Sequence, residues 1–194
     1  MTRVGVLSLQ GDVGEHTAML ESLGADVIKV RTTEQLEVID ALVMPGGEST
    51  AIAHLLVTSG MKDALALKLK EELPVLGTCA GLILLAREVL DGRSDQWSYG
   101  ALDASVRRNG YGRQIASFET ELEVQGVGLV PGIFIRAPRI DAVGADVEVL
   151  ATYDRGTGEG EHPVFVRQGA VWGLSFHPEL SSDARVHELF LKSL

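Results

Sequence analysis

The apolar positions of this chain fall into two alternating spacings. Val4 to Leu9 is a short apolar run, followed by Gln10-Gly11 and then by helix-like spacing from Val13 to Leu23 that stops at Gly24. The same rhythm continues with expected strands at Asp26 to Val30 and Ala41 to Met44. The second of these is closed by Pro45-Gly46-Gly47 and followed by helical stretches to about Leu73. A further strand, Pro74 to Gly77, feeds an expected helix from Ala80 to Leu90.

From about Leu102 the texture changes to Val-, Ile- and Phe-rich segments separated by Gly and Pro. Strands are expected at Glu119 to Val124, Gly132 to Arg136, Val147 to Tyr153, Pro163 to Gln168 and Ala170 to Phe176. Asp183 to Leu194 reads as a closing helix, with Val186, Leu189 and Phe190 on one face. Asp91 to Gly100 and Asp154 to Glu161 read as surface loops. The expected fold class is α/β: a three-layer sandwich around a mixed, largely parallel sheet, with a more strand-rich C-terminal half. The 194 residues fit one domain spanning the whole chain. Ligands of such sheets bind beyond the carboxyl ends of the strands, which directs attention to the loops after Met44 and Gly77.

Charge and cysteine content narrow the function. A formal net charge of -10 argues against a general nucleic-acid binder, since phosphate backbones repel acidic surfaces. No apolar run approaches the roughly 20 residues that span a bilayer, so no membrane partner is expected. The single cysteine, Cys79, excludes an internal disulfide, and with no leader-like start the expected compartment is the cytoplasm.

Gly77-Thr78-Cys79-Ala80-Gly81 fits G-x-C-x-G, the cysteine form of a nucleophile elbow, at a strand-to-helix junction. Small neighbours permit the sharp turn, the following amides can receive an oxyanion, and the helix N-terminus favours thiolate over thiol. A lone cysteine is commonly a small buried hydrophobe; the glycines and the junction favour catalysis here. Thiol chemistry needs a base and a group that orients it. His177 and Glu179 fill those roles at the end of an expected strand, where residues two apart share a face. His16, His54 and His187 lie in helical patterns, where an exposed or capping role is the default, and His162 lies in a loop-like stretch. No zinc-like ligand spacing occurs, so neither metal nor cofactor is expected. Pro45 to Thr50 can supply a second wall of an oxyanion hole, and the same residues can equally form a Ser or Thr helix cap.

With these pieces placed, the chain resembles the class I glutamine amidotransferases, and among them the glutaminase subunits of pyridoxal 5'-phosphate synthase. The resemblance runs almost end to end. It is carried by Gly5 to Gly11 with Glu15-His16, Pro45 to Thr50, Gly77 to Leu82, Arg108-Asn109 with Gly112-Arg113-Gln114, Phe134 to Pro138, and Ser175 to Leu180. It implies Cys79, His177 and Glu179 as a catalytic triad and the amides of Gly47 and Ala80 as oxyanion donors. Gly47, Glu48, Ser49, Arg108, Ile135 and Arg136 are implied around bound L-glutamine. It also implies a synthase subunit of TIM-barrel type as partner, which receives ammonia for vitamin B6 synthesis. Rival readings are a glutaminase of another biosynthetic pathway and a noncatalytic assembly subunit on the same fold. An α/β-hydrolase fits less well, because its acid precedes its histidine in the chain.

Overall fold

A computed structural model describes residues 2–93, 96–111, 117–156 and 158–194. In chain order the elements of the first half are β1 (Arg3–Leu7), α1 (Val13–Ser22), β2 (Asp26–Val30), α2 (Thr33–Leu36), β3 (Ala41–Met44), α3 (Ser49–Thr58), α4 (Met61–Lys70), β4 (Val75–Thr78) and α5 (Ala80–Leu85). Then follow β5 (Ala86–Val89), β6 (Leu102–Arg107), β7 (Ser117–Val124), β8 (Gly128–Ile135), β9 (Arg139–Val143), β10 (Glu148–Asp154), β11 (Glu161–Gln168), β12 (Val171–Leu174) and α6 (Arg185–Lys192).

The central sheet has seven strands in the order β10-β11-β12-β4-β3-β1-β2. Five of them, from β12 to β2, run parallel, and β10 and β11 are antiparallel additions at one edge. Strands β3, β4 and β12 are buried at every position, as expected of central parallel strands covered on both faces. Side chains alternate between two cores. Leu42, Met44, Val75 and Val171 pack with α2 to α5, β5, β6 and β9, whereas Ala41, Val43, Leu76, Trp172 and Leu174 pack with α1, α6 and the β7–β8 hairpin. The mixed, three-layer α/β architecture expected from the sequence is present.

The hairpin joins the second core through aromatic rings. Phe134 is fully buried, stacks on Phe118 at 4.5 Å between centroids, and contacts Tyr111, Tyr153 and Phe176. This packing fixes the chain that immediately follows, Ile135 and Arg136. Across the same junction the His177 amide donates to the Ile133 carbonyl at 2.8 Å, so β8 also braces the segment after β12.

Three local expectations change. The helix beginning at Ala80 ends at Leu85 rather than Leu90: Ala86 is extended (φ -58°, ψ 150°) and opens β5, which pairs in parallel with β6. An apolar run can serve either period, and here the ladder with β6 decides. Between β2 and β3 the short helix α2 is stabilised by a capping box of Thr32 and Gln35, a signal too brief for periodicity to show. His162 lies within β11, not in a loop. Among the described residues, no helix is long and apolar enough to cross a membrane.

Truncating Phe134 to alanine should cost about 3–5 kcal/mol by removing a buried ring from the hairpin core. Denaturant unfolding checks the loss. A change below about 1 kcal/mol would mean that the aromatic cluster does not hold the hairpin.

Candidate active site

The geometry begins with one strand pair. β12 lies beside β4 in parallel, with Leu174 opposite Thr78, so both chains leave the sheet at the same edge. Cys79 follows Thr78 directly, and its amide donates to the Leu174 carbonyl at 2.8 Å. His177 stands three residues beyond Leu174, and the two halves of the sequence thereby meet.

Cys79 occupies a strained backbone conformation, φ 49° and ψ -99°, as an elbow requires. The space for that bend comes from Gly81, where any Cβ would collide with the Met44 carbonyl oxygen. Cys79 itself is buried but reaches the cleft. Ala80 is the first residue of α5, where a helix leaves its amides without intrahelical partners.

His177 Nδ1 lies 2.7 Å from Glu179 Oε1. The pair is not formed along an extended strand, as the sequence suggests. β12 ends at Leu174, and Pro178 to Leu180 form a 3-10 turn that folds the carboxylate back under the ring. Proline at the first position of that turn pre-sets its backbone angle. The other ring nitrogen, Nε2, is buried without a regular hydrogen bond, and the neighbour acting on the ring is the Cys79 thiol. Burial lowers the His177 pKa, but hydrogen bonding and charge from Cys79 and Glu179 overcome it and raise it to about 10. Burial likewise pushes the Glu179 carboxyl up, opposed by the bond to His177. The Glu179 carboxylate thus favours the protonated form of the His177 ring beside it.

A cleft of about 330 Å³ opens over Cys79 and His177. Of the residues expected around a substrate, Gly47, Glu48, Ser49, Arg108, Ile135 and Arg136 all line it. Arg136 has a left-handed backbone (φ 44°), a second strained point on the rim. Gly46 lies against the His177 ring so closely that a Cβ would strike Cε1, which ties the loop after β3 to the imidazole. Glu179 and Ala80 lie behind the wall instead, almost wholly buried. The expected helix cap is corrected: Glu48, not Ser49 or Thr50, caps α3. Its carboxylate accepts from the amides of Thr50 and Ala51, at 3.3 and 2.7 Å, and from the Thr50 hydroxyl. The same carboxylate pairs with Arg108 at 2.9 Å. Among the described residues the buried Ser49 hydroxyl has no hydrogen-bond partner at the cleft. Gly112, Arg113 and Gln114 fall outside the described residues.

Several participants escaped the sequence reading. Gln10 lines the cleft and accepts from the Glu48 amide at 2.9 Å. Asp12 brings Oδ2 to 3.5 Å from His177 Nδ1. Among the described residues Asp12, His177 and Glu179 place potential metal-ligand atoms within 4.8 Å of one another, but Nδ1 is the atom already bonded to Glu179. The helical histidines also need correction: His54 is exposed, but His16 and His187 are fully buried. His16 Nδ1 lies 2.9 Å from His187 Nε2, and His16 Nε2 lies 3.1 Å from Thr78 Oγ1.

Burial lowers the His187 pKa to about 4, and burial with the charges of His187 and His177 lowers that of His16 well below its ordinary value. A histidine with a depressed folded pKa stabilises the fold above its unfolded pKa of about 6.5, and this contribution is lost as pH falls towards the folded value. Going from pH 7.5 to 5 should therefore cost about 2 kcal/mol through His187 alone. Urea unfolding at the two pH values checks this: the fall should be smaller in His187→Leu, and an identical fall would refute it.

The chain is 52% identical to the pyridoxal 5'-phosphate synthase subunit PdxT of Rhodococcus jostii (strain RHA1), over 98% of this chain and 97% of that one. With the PdxT subunit of Kosmotoga olearia it is 47% identical over 99% and 97%. A crystal structure described as a glutamine amidotransferase superposes with a TM-score of 0.89 at 48% identity, covering 97% of each chain. The PurLQS structure from Thermotoga maritima, at 17% identity and a TM-score of 0.74 over 99% of this chain and 98% of that one, shares the fold. A cysteine elbow facing a His-Glu pair is thus set in a sequence that matches one family profile over residues 6–194, and the chain belongs to the SNO glutamine amidotransferase family.

Proposed function

We propose that this protein is the glutaminase subunit of a pyridoxal 5'-phosphate synthase, releasing ammonia from L-glutamine for a synthase partner. The observation that carries the reading is the convergence of Cys79, His177 and Glu179 at one sheet edge beneath a cleft lined by Arg108 and Arg136. Its full-length relatives at about half identity are PdxT subunits of that synthase.

In this mechanism the Cys79 proton passes to His177, a transfer favoured by the raised imidazole pKa. The sulfur attacks the side-chain amide carbon of glutamine. The amides of Ala80 and Gly47 receive the oxyanion, and Arg108, Arg136, Ile135, Glu48 and Ser49 surround the rest of the substrate. As the tetrahedral adduct collapses, the imidazolium gives its proton to the departing nitrogen and ammonia leaves. The remaining glutamyl thioester is attacked by water, whose proton His177 accepts. Glutamate departs, and the returned proton restores the thiol. Glu179 holds Nδ1 throughout, keeping Nε2 directed at the chemistry.

Ammonia is a nucleophile only when unprotonated, so enclosure between glutaminase and synthase serves the overall reaction. We expect the partner to raise the glutaminase rate by settling the loop that carries Gly47. A coupled ammonia assay tests both parts. Cys79→Ala should lower the rate about a thousandfold or more in the presence of the synthase subunit. The wild-type protein should be slower alone than in the complex. Full activity of Cys79→Ala would remove the triad, and equal rates with and without partner would remove the coupling.

A further inference from the structure

The triad rests on a second layer that the reaction scheme leaves unused. Glu179 Oε1 is taken by His177, whereas Oε2 is buried and lacks a hydrogen bond of regular geometry. His16 Nε2 lies 3.4 Å from Oε2, and both side chains are wholly shielded from solvent. The groups facing His16 are His187 from α6, Thr78 from β4, and Glu179 and His177 from the segment after β12. Within its own helix, the His16 amide bonds to the Asp12 carbonyl.

The Glu179 carboxylate facing His16 Nε2 favours one tautomer of that ring. If Nδ1 of His16 carried the proton, it would donate to His187 Nε2 and force the His187 proton onto Nδ1. That atom is buried without a partner. The same choice would turn the bare lone pair of His16 Nε2 towards the Glu179 carboxylate. Both consequences are unfavourable, for an orphaned buried N–H is rarer than an under-used acceptor. With the proton on Nε2 instead, His16 donates towards Thr78 Oγ1 and Glu179 Oε2. His187 then donates from Nε2 and keeps a lone pair at its Nδ1, while the Thr78 oxygen accepts from His16 and its own hydroxyl hydrogen is the group left to satisfy.

We propose that neutral His16, protonated at Nε2 and held in that tautomer by His187, is a positioning residue of the triad that supplies the second hydrogen bond to Glu179. This rests on the reading of Cys79, His177 and Glu179 as the catalytic triad. Its role is to keep a carboxylate ionised and correctly turned where burial favours the protonated, freely rotating acid. The lowered pKa of His16 is in keeping with a neutral donor. Losing the bond lets Glu179 take up a proton more easily, and His177 then loses its orientation and the support of an adjacent negative charge.

The test uses the complex with its synthase subunit and measures glutamine-dependent ammonia release across pH. His16→Leu should lower kcat about tenfold with little change in KM, and move the acid limb of kcat/KM upward by about one pH unit. His16→Gln, whose amide can still donate, should recover much of both losses. Should His16→Leu fail to fold, His16→Asn against His16→Gln replaces it: the shorter side chain withdraws the donor and should show the larger pH shift. Thermal unfolding of each variant separates lost stability from lost function, because a purely structural role would lower the melting temperature without moving the pH profile. Wild-type kcat and an unmoved acid limb in the donor-less variants would overturn the proposal. Cys79→Ala run in parallel separates the two ideas, since its retained activity would remove the triad itself.

Discussion

Parallel pairing between β4 and β12 is the constraint on which the site depends. Register alone places Leu174 opposite Thr78, and a single backbone bond from the Cys79 amide to the Leu174 carbonyl locks the two exits together. A slip of one residue would reverse the facing of every side chain on β12. Such a slip would bury Val171 in the wrong core and carry Trp172 away from Phe165 and Phe190. The alternating apolar faces therefore fix the register, and the register brings a cysteine from the middle of the chain to a histidine near its end.

Polar groups at that edge are arranged in depth. Cys79 and His177 meet the cleft, Glu179 lies beneath His177, and His16 with Thr78 and His187 lies beneath Glu179. Ionisable groups so buried carry a desolvation cost that only specific partners offset. That cost explains why the opposed pKa shifts occur side by side: His177 is raised by hydrogen bonds and charge from Cys79 and Glu179, His187 is lowered by burial, and His16 by burial and the neighbouring imidazoles. One imidazole is held ready to carry charge and two are kept neutral. All three are the same residue type, so environment alone assigns the difference.

The legible parts of the sequence were those whose signal is local. Strands β2 and β3 follow from short apolar runs with clear stops, and the Gly-x-Cys-x-Gly elbow carries its own reason for being a turn. His177 and Glu179 were legible as a pair, though their contact depends on the 3-10 turn at Pro178 rather than on strand alternation. His16 and His187 were not, because helical spacing cannot distinguish a buried polar residue with a partner from one at the edge of the apolar stripe. Their partners lie 171 residues apart in sequence, a relation that no window contains. The β5 strand was missed for a related reason: what ends α5 is the ladder offered by β6, and not a breaker within the run.

The two walls of the cleft are held by interactions of very different strength. On the triad side, strand pairing, a buried carboxylate and the Ile133 carbonyl restrain the chain, and each would have to be broken inside a shielded core. On the opposite side the loop after β3 is held by the Asp12 amide on the Gly46 carbonyl, by Gln10 against the Glu48 amide, and by the half-exposed Glu48 carboxylate, which caps α3 and pairs with Arg108. Ion pairs of that exposure contribute little, about 0–1 kcal/mol. Gly47, with φ 149°, adds a backbone that most residues could not follow but that glycine leaves readily. The Gly47 wall therefore has the freer backbone, while the sulfur, imidazole and carboxylate are fixed by the sheet.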